Sequence, residues 1–476
     1  MRKEFEAVIG LEIHVHLKTK TKIFCSCRNS FEEEPNKNIC PVCLGLPGVL
    51  PVFNKKALQL ALRAALALGC RINSLMRFDR KNYFYPDLPK NYQISQYKFP
   101  LAERGNFRIL TSGKEKEVLI KRVHLEEDAG KLIHSDDASF VDYNRAGCPL
   151  VEIVTEPVLF SPQEAYDFLQ QLKMLLQYLE VSDCDMEKGL LRCDANISVR
   201  PIDTEKLGIK TELKNMNSFR AVKLALEYEI NRQINSLLDG EEVVQETRLW
   251  DEKLLKTKTM RLKEEVHDYR YFPEPDLPPF TIGTDWINEV KSELPQFPLQ
   301  RYKKLRKKEI LNEDEIFFLI QEKSIIDFFE KCLQIYNNPR SIYNWLKGTV
   351  AEYMNEYNIT AFSMLDMDAV SFVKIVKSMD KGLVNNQQAK KLFLKYMDTR
   401  RDPEEIIEEE GFKQISDTAM LEEIVDKVIE ENLKAVEDYK AGKEKSLMFL
   451  VGQVMRHTRG RANPSIVREI LLGRLR

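Results

Sequence analysis

Four cysteines in the stretch IFCSCRNSFEEEPNKNICPVCLG, residues 23–45, stand first among the side chains that could do chemistry. Cys25 and Cys27 form a C-x-C pair, and Cys40 and Cys43 a C-x2-C pair. Paired thiols at this spacing predict a tetrahedral zinc site, with Pro41 and Gly45 shaping the second turn. Four thiolates close the coordination shell, so the zinc is expected to hold structure and not to act on a substrate.

A second set lies on residues that alternate like strands. In FEAVIGLEIHVHL, Phe5, Ala7, Ile9, Leu11, Ile13, Val15 and Leu17 share one face, which puts Glu12, His14 and His16 on the other. Neighbours on one strand face sit roughly 6.5–7 Å apart, a spacing suited to groups converging on a ligand or metal. VHLEEDAG offers Glu126, Glu127 and Asp128, and LVEIVTEP places Glu152 and Glu156 on one face. LRCDANISVR puts Arg192, Asp194, Asn196 and Ser198 on its polar face, and KTELKN groups Lys210, Glu212 and Lys214. Five strands thus bring carboxylates, mixed with cations, to a face outside the core. Oxygen ligands with a histidine suit Mg²⁺, and cations beside them suit a phosphate. The sequence has no G-x-x-x-x-G-K-[ST] and no G-x-G-x-x-G. Bound ATP is therefore expected to rest on metals and basic side chains over a sheet and not on a phosphate-binding loop. In residues 78–96, Tyr83, Phe84, Tyr85 and Tyr92 mix with Arg80, Lys81 and Lys90. Such a segment can stack a nucleotide base or an RNA end, or simply pack on the domain.

The elements that must position these residues are mixed. Helices are predicted in NKKALQLALRAALALG, in SPQEAYDFLQQLKMLLQYLE and in SFRAVKLALEYEINRQINSLLDG. The second opens as a capping box, with Ser161 as cap, Pro162 at the first helical position and Glu164 at the third. Ser218 is the expected cap of the third. Many strands, few long helices and no regular strand–helix repeat predict a multidomain α+β protein with a mainly antiparallel sheet. Proline-rich YFPEPDLPPF and LPQFPLQR place a boundary near residue 295, and DTRRDPEE a second near 400. The expected domains are 1–294, 295–400 and 401–476, the last two helical. Residues 401–438 carry fourteen Asp and Glu against four Lys and Arg, whereas 439–476 carry nine Lys and Arg against two Glu. A helix over 403–438 is too acidic to face RNA along its length, while the basic end suits a tRNA backbone.

The totals narrow the classes. A chain of 476 residues exceeds one ordinary core. The net charge of −2 excludes a generic polyanion binder, so any nucleic-acid surface is local. No signal peptide or membrane span is predicted. Nine Cys, four of them clustered, do not form a secreted disulfide framework, so a reducing cytoplasm is expected.

Several motifs carry a resemblance. VIGLEIHVHL, DRKNYFYPDLPKNYQISQ, HLEEDAGK, RAGCPLVEIVTEP, LRCDANISVR, ELKNMNSF, DYRYFPEPDLPP and MFLVGQVMRHTRGRANP run in order through nearly the whole chain. Together they resemble the B-subunit family of tRNA-dependent amidotransferases, GatB. The resemblance implies an N-terminal cradle like the glutamine synthetase catalytic sheet, then a helical domain and a tail domain that holds tRNA. It implies a ligase that uses ATP to phosphorylate the side-chain carboxylate of Glu-tRNA(Gln) or Asp-tRNA(Asn). Ammonia from an amidase-like A subunit then completes the amide, with glutamine as donor and a small C subunit tying the two together. By the same resemblance Glu12, His14, Glu127 and Glu152 are expected Mg²⁺ ligands, and Asp194 and Glu212 candidates for another metal position. Arg192, Lys214 and Arg270 are expected at phosphate, and Lys81 and Tyr83 where ammonia reaches the site. His16 has no counterpart as a metal ligand.

Two rival readings have distinct signatures. An H-x-H metal-dependent amidohydrolase on His14 and His16 calls for a TIM barrel and late histidine ligands. The six histidines include only His267 and His457 late in the chain, both outside strand-like runs. A non-enzymatic tRNA-binding scaffold calls for a basic N-terminal domain without clustered carboxylates.

Overall fold

A computed structural model describes residues 4–30, 33–135, 137–262, 268–412, 418–458 and 462–475. His267 lies outside the described residues. The alternating segments form a nine-stranded sheet. Its order is Lys256–Leu262, Glu246–Asp251, Thr211–Lys214, Leu191–Pro201, Phe5–His16, Pro149–Thr155, Lys114–Glu127, Ala102–Thr111 and Arg71–Ile72. Every pairing is antiparallel except that of Thr211–Lys214 with Glu246–Asp251. The fold is mixed α/β with a large antiparallel-rich sheet followed by helices, as the alternation and the shortage of long helices predict.

Phe5–His16 is a central strand with partners on both sides, and Ile9, Leu11, Ile13 and Val15 on one face are fully buried. Helices α1 (Lys55–Ala67), α2 (Pro162–Tyr178) and α3 (Phe219–Leu238) pack on that apolar face and complete a single core with it. This leaves the opposite face for polar side chains. The helix starts follow the expected chemistry. Asn54 accepts from the amides of Lys56 and Ala57, Ser161 from Glu164 at 3.1 Å, and Ser218 from Ala221 at 3.0 Å. The Glu164 carboxylate reaches back to the amide of Phe160, one residue before the cap, at 2.7 Å. A small sheet of Phe272–Pro273, Asp79–Asn82 and Tyr92–Ser95 borders the end of Lys114–Glu127.

The chain divides into two compact units, Met1–Arg301 and Tyr302–Arg476. The second is helical among its described residues, and its C-terminal part has its own core of Leu421, Val425, Val428, Leu450, Val454, Val467 and Leu471. The single acidic helix expected over 403–438 is corrected. Pro403–Glu409, Thr418–Glu431 and Leu433–Lys440 are separate helices. Gly411, at φ +62°, follows the end of the first, and Asn432, whose side-chain amide donates back to the Val428 carbonyl at 2.9 Å, separates the second from the third. The acidic and basic segments also meet. Arg474 pairs with Asp426 at 2.9 Å and Glu422 at 3.1 Å, and His457 with Glu431 at 3.1 Å. No described helix is long and apolar enough to cross a membrane.

Candidate active site and metal centre

Strand register assembles the polar face. Glu152 stands opposite both His124 and His14, and His14 opposite Arg192, so these residues form one row across four strands. The flanking rows put Glu12 opposite Asp194, and Leu150 opposite both Glu126 and His16. Directly opposed side chains point to the same face and lie close enough to share a ligand.

Three of them converge. His14 Nε2 lies 3.5 Å from Glu126 Oε1 and 3.5 Å from Glu152 Oε2. The ligand atoms of His14, Glu126 and Glu152 all lie within 4.8 Å of one another. His124 Nε2 approaches Glu152 at 3.2 Å, and Ser95 Oγ donates to Glu126 at 3.4 Å. Burial works against a charge on His14, but the hydrogen bond to Glu152 and the charges of Glu126 and Glu152 overcome it and raise its pKa to about 9. Burial also opposes ionisation of Glu152, yet the charge and hydrogen bond of His124, then those of His14, hold it well below the usual carboxylate range. An imidazolium between two carboxylates marks a place that favours positive charge. One imidazole nitrogen and two carboxylates form a donor set that fits a divalent cation, which would displace the proton of His14.

Next to this trio, Asp128 gathers cations. His16 Nε2 lies 2.8 Å from Asp128, Arg192 grips both oxygens at 2.9 and 3.1 Å, and Arg145 Nε approaches at 3.3 Å. Asp128 is buried, which by itself would raise its pKa, but the charges of Arg192 and Arg145 and then the His16 hydrogen bond hold it well below the usual range. His16 is thus a buried partner of Asp128 and stands outside the His14 cluster. On the other flank, Lys214 lies between Asp194 and Glu212, bonded to the first and 3.3 Å from the second. Burial opposes its charge, but both carboxylates together hold its pKa at about 12. Asn196 donates to Glu12 at 2.8 Å, and Thr247 to Glu212 at 2.8 Å. A cavity of about 420 Å³ opens here, lined by Arg145, Lys188, Arg192, Asp194, Asn215 and Asn217 among others.

Two expected residues sit elsewhere. Glu127 does not join His14 and Glu152. Its side chain points away from Glu126, bonds Lys90 and accepts from the amide of Ile94 at 2.9 Å. The pleat is the reason: Glu127 is in phase with Val123 and Leu125, both buried in the core. Arg270 is exposed and lies over Phe84, 5.9 Å from the ring centroid. Lys81 stands over Tyr269 and Tyr83, 4.9 and 5.7 Å from their centroids. Glu156 keeps the phase of Glu152 but follows the last residue of the strand Pro149–Thr155, past a register shift that leaves Lys121 of the partner strand unpaired, and it lies outside the His14 cluster.

The four cysteines of the loop do come together, with their sulfurs within 4.8 Å of one another. The Cys40 amide donates to Cys43 Sγ at 3.1 Å. A hydrogen bond from Cys25 lowers the Cys43 pKa against the effect of burial, to about 5, with the Cys40 amide and Lys22 helping. Four sulfurs this close form a donor set that fits one metal ion. Gly45 turns at φ +64°, and a Cβ there would collide with Lys90.

The GatB/GatE catalytic domain family matches residues 7–288, and the GatB domain family residues 327–475. The chain is 52% identical to the B subunit of the aspartyl/glutamyl-tRNA(Asn/Gln) amidotransferase of Thermoanaerobacter pseudethanolicus, covering 98% of each. It is 50% identical to the protein of the same name from Carboxydothermus hydrogenoformans, covering 99% of each. The one from Persephonella marina is also 50% identical, with 98% of this chain and 99% of the relative covered. The chain belongs to the GatB family. In this GatB chain the residue that sequence reasoning missed is His124, while Glu126, offered together with Glu127 and Asp128, was passed over for Glu127. Counting by two back from Glu126 gives His124 and Arg122, the polar phase of KRVHLEE, so the signal was present in the alternation. Asp128 was read as one more carboxylate. Its role as an anchor for His16, Arg145 and Arg192 depends on chain segments far apart in sequence.

Proposed function

We propose that this chain amidates tRNA-bound glutamate or aspartate with ATP and ammonia, acting with an amidase-like A subunit and a small C subunit. The observation that carries the reading is the convergence of His14, Glu126 and Glu152 beside Arg192 at the rim of the cavity. A carboxylate is a poor acyl donor, because its oxygen is a poor leaving group. In the first step its oxygen attacks the γ-phosphorus of ATP, the bond to the β-phosphate oxygen breaks, and ADP leaves. In the second, ammonia attacks the acyl carbon, the C–O bond to phosphate breaks, and phosphate leaves as nitrogen gives up a proton.

His14, Glu126 and Glu152 would hold Mg²⁺, which when bound supplies charge screening between the two anionic reactants. The chain's own cations do the rest. Arg192 and Arg145, both fixed by Asp128, present positive charge to the cavity where the phosphates would lie. Lys214 serves the same end from the far side, and Glu12, Asp194 and Glu212 are the groups available to a second cation that competes with it. The pairing of Lys81 with Tyr83 and Tyr269 supports a route for ammonia along that loop. Glutamine is the proposed nitrogen donor, and Cys25, Cys27, Cys40 and Cys43 would hold a structural zinc.

The proposed domains are 1–294, 295–400 and 401–476; the separate core within residues 421–475 supports a tail that folds around itself, and its basic end is the proposed tRNA contact. The cysteine pattern, four clustered and five scattered, supports a reducing, cytoplasmic setting. The deciding experiment is Glu152→Gln in the assembled enzyme. We expect loss of γ-phosphoryl transfer to the mischarged tRNA by about 100-fold or more, with tRNA binding almost unchanged. Normal amide formation by that variant would overturn the assignment.

A further inference from the structure

Lys22 is fully buried, with no solvent exposure. An ammonium so placed costs several kcal/mol unless its charge and its three protons are met. Its Nζ donates to the carbonyl of Asn38 at 2.9 Å and to that of Tyr143 at 3.5 Å, and approaches Cys43 Sγ at 3.8 Å. None of these three acceptors is a carboxylate, and the only sulfur among them belongs to the four-cysteine cluster. The surroundings are close. Ile23, the next residue, donates its amide to the carbonyl of Gly147 at 2.9 Å. A Cβ on Gly147 would touch Cys43 Cβ at 3.4 Å and Lys22 Cδ at 3.6 Å. Lys22 is thus clamped between the cysteine loop and the segment that carries Arg145.

Four thiolates around a divalent metal leave a net charge of −2 in a poorly solvated loop. Such a cluster needs a counter-charge, and a buried ammonium needs an anion. We infer that Lys22 is the built-in counter-cation of the four-cysteine metal site, donating to Cys43 Sγ and thereby retaining the metal. The inference rests on the reading of that cluster as a zinc site. Lys22 is a positioning residue: it acts on the metal through Cys43, beyond the ligand set that the cysteine spacing defines. Groups at this distance from a metal change its affinity by about 10- to 100-fold when removed.

The test uses the full-length chain in its assembled complex and reads the metal, not amide formation. Wild type, Lys22→Met and Lys22→Gln are compared for zinc content and for the rate of zinc transfer to a chromophoric chelator. Gln keeps N–H donors and similar volume but removes the charge, and it serves if Met fails to fold. We expect release about tenfold faster or more in Lys22→Met, with a smaller acceleration in Lys22→Gln. Reconstitution with Co²⁺ gives a second readout. Loss of the donor to Cys43 should shift the thiolate-to-metal charge-transfer band, which a merely structural role would leave in place. Zinc present in wild type but released at the same rate by both variants overturns the inference alone. Wild type purified without zinc overturns the zinc reading and the inference together.

Discussion

The two ligand clusters of this molecule are built in opposite ways. The four cysteines come from one short loop, and their convergence is written in local spacing. His14, Glu126 and Glu152 come from three strands widely separated in sequence, and they meet only because those strands pair in one register. The surroundings differ as well. The cysteine loop packs against the buried side chains of Lys22 and Lys90 and turns tightly at Gly45, whereas the sheet cluster is ringed by His124, Asp128, Arg145 and Arg192, each held by others. A loop-borne site fixes its own loop. A sheet-borne site inherits the rigidity of the core beneath it and can present groups to a cavity without rearranging.

The largest expected effect tests whether the pleat assigns the sheet cluster correctly. Glu126→Gln should lower single-turnover phosphoryl transfer by about 100- to 1,000-fold, the scale of losing one charged contact at a developing charge. Glu127→Gln, one residue away, should cost less than about fivefold in that assay and instead lower the unfolding midpoint. Its loss leaves the ammonium of Lys90 without its partner carboxylate, and breaking a buried pair typically costs about 3 kcal/mol or more. The reverse ranking of the two variants would mean that Glu127 is the ligand.

A smaller effect should separate the clusters by role. Cys40→Ser, or removal of the metal from the loop, should lower the unfolding midpoint by roughly 5–10 °C, because metal-binding energy there is folding energy for the loop. Phosphoryl transfer by the fraction that stays folded should be close to normal. A Cys40→Ser protein with wild-type stability and no phosphoryl transfer would reverse the two roles.

The smallest effect concerns protons. The folded-state pKa of His14, about 9, lies above its ordinary value of 6.5. Its contribution to stability is therefore complete below pH 6.5 and is lost as pH rises towards 9. Without added Mg²⁺ the chain should lose about 1–2 kcal/mol over this window, relative to His14→Gln, once the partial exposure of the ring is allowed for. Added Mg²⁺ must displace the same proton, so its stabilising effect should grow as pH rises. Thermal unfolding across the window with and without Mg²⁺ measures both. A Mg²⁺ effect that is flat in pH would remove His14 from the ligand set.

Much of this was legible in the chain. The apolar phase of Phe5–His16 and the caps at Ser161 and Ser218 follow from local periodicity and side-chain chemistry. The cysteine cluster follows from spacing, and the order of motifs from Val8 to Pro464 marks the family. Such features depend on residues a few positions apart, which the backbone's own geometry brings together. The choice of Glu126 over Glu127 was within reach of the same arithmetic, since a strand sends adjacent residues to opposite faces.

Other features appear only when distant segments are packed together. The row His124, Glu152, His14 and Arg192 needs the register of four strands, and the grip of His16, Arg145 and Arg192 on Asp128 needs three separate approaches to one carboxylate. Alternation already groups Lys214 with Glu212, but its bond to Asp194 on the neighbouring strand, and the contact of Lys22 with Cys43, are pairings that no local pattern names. Sequence determined which chemistry the chain carries and on which elements. Tertiary structure decided which charges share one poorly solvated space, because the strength of each pairing depends on distance and on the exclusion of water, and both are set by the packed fold.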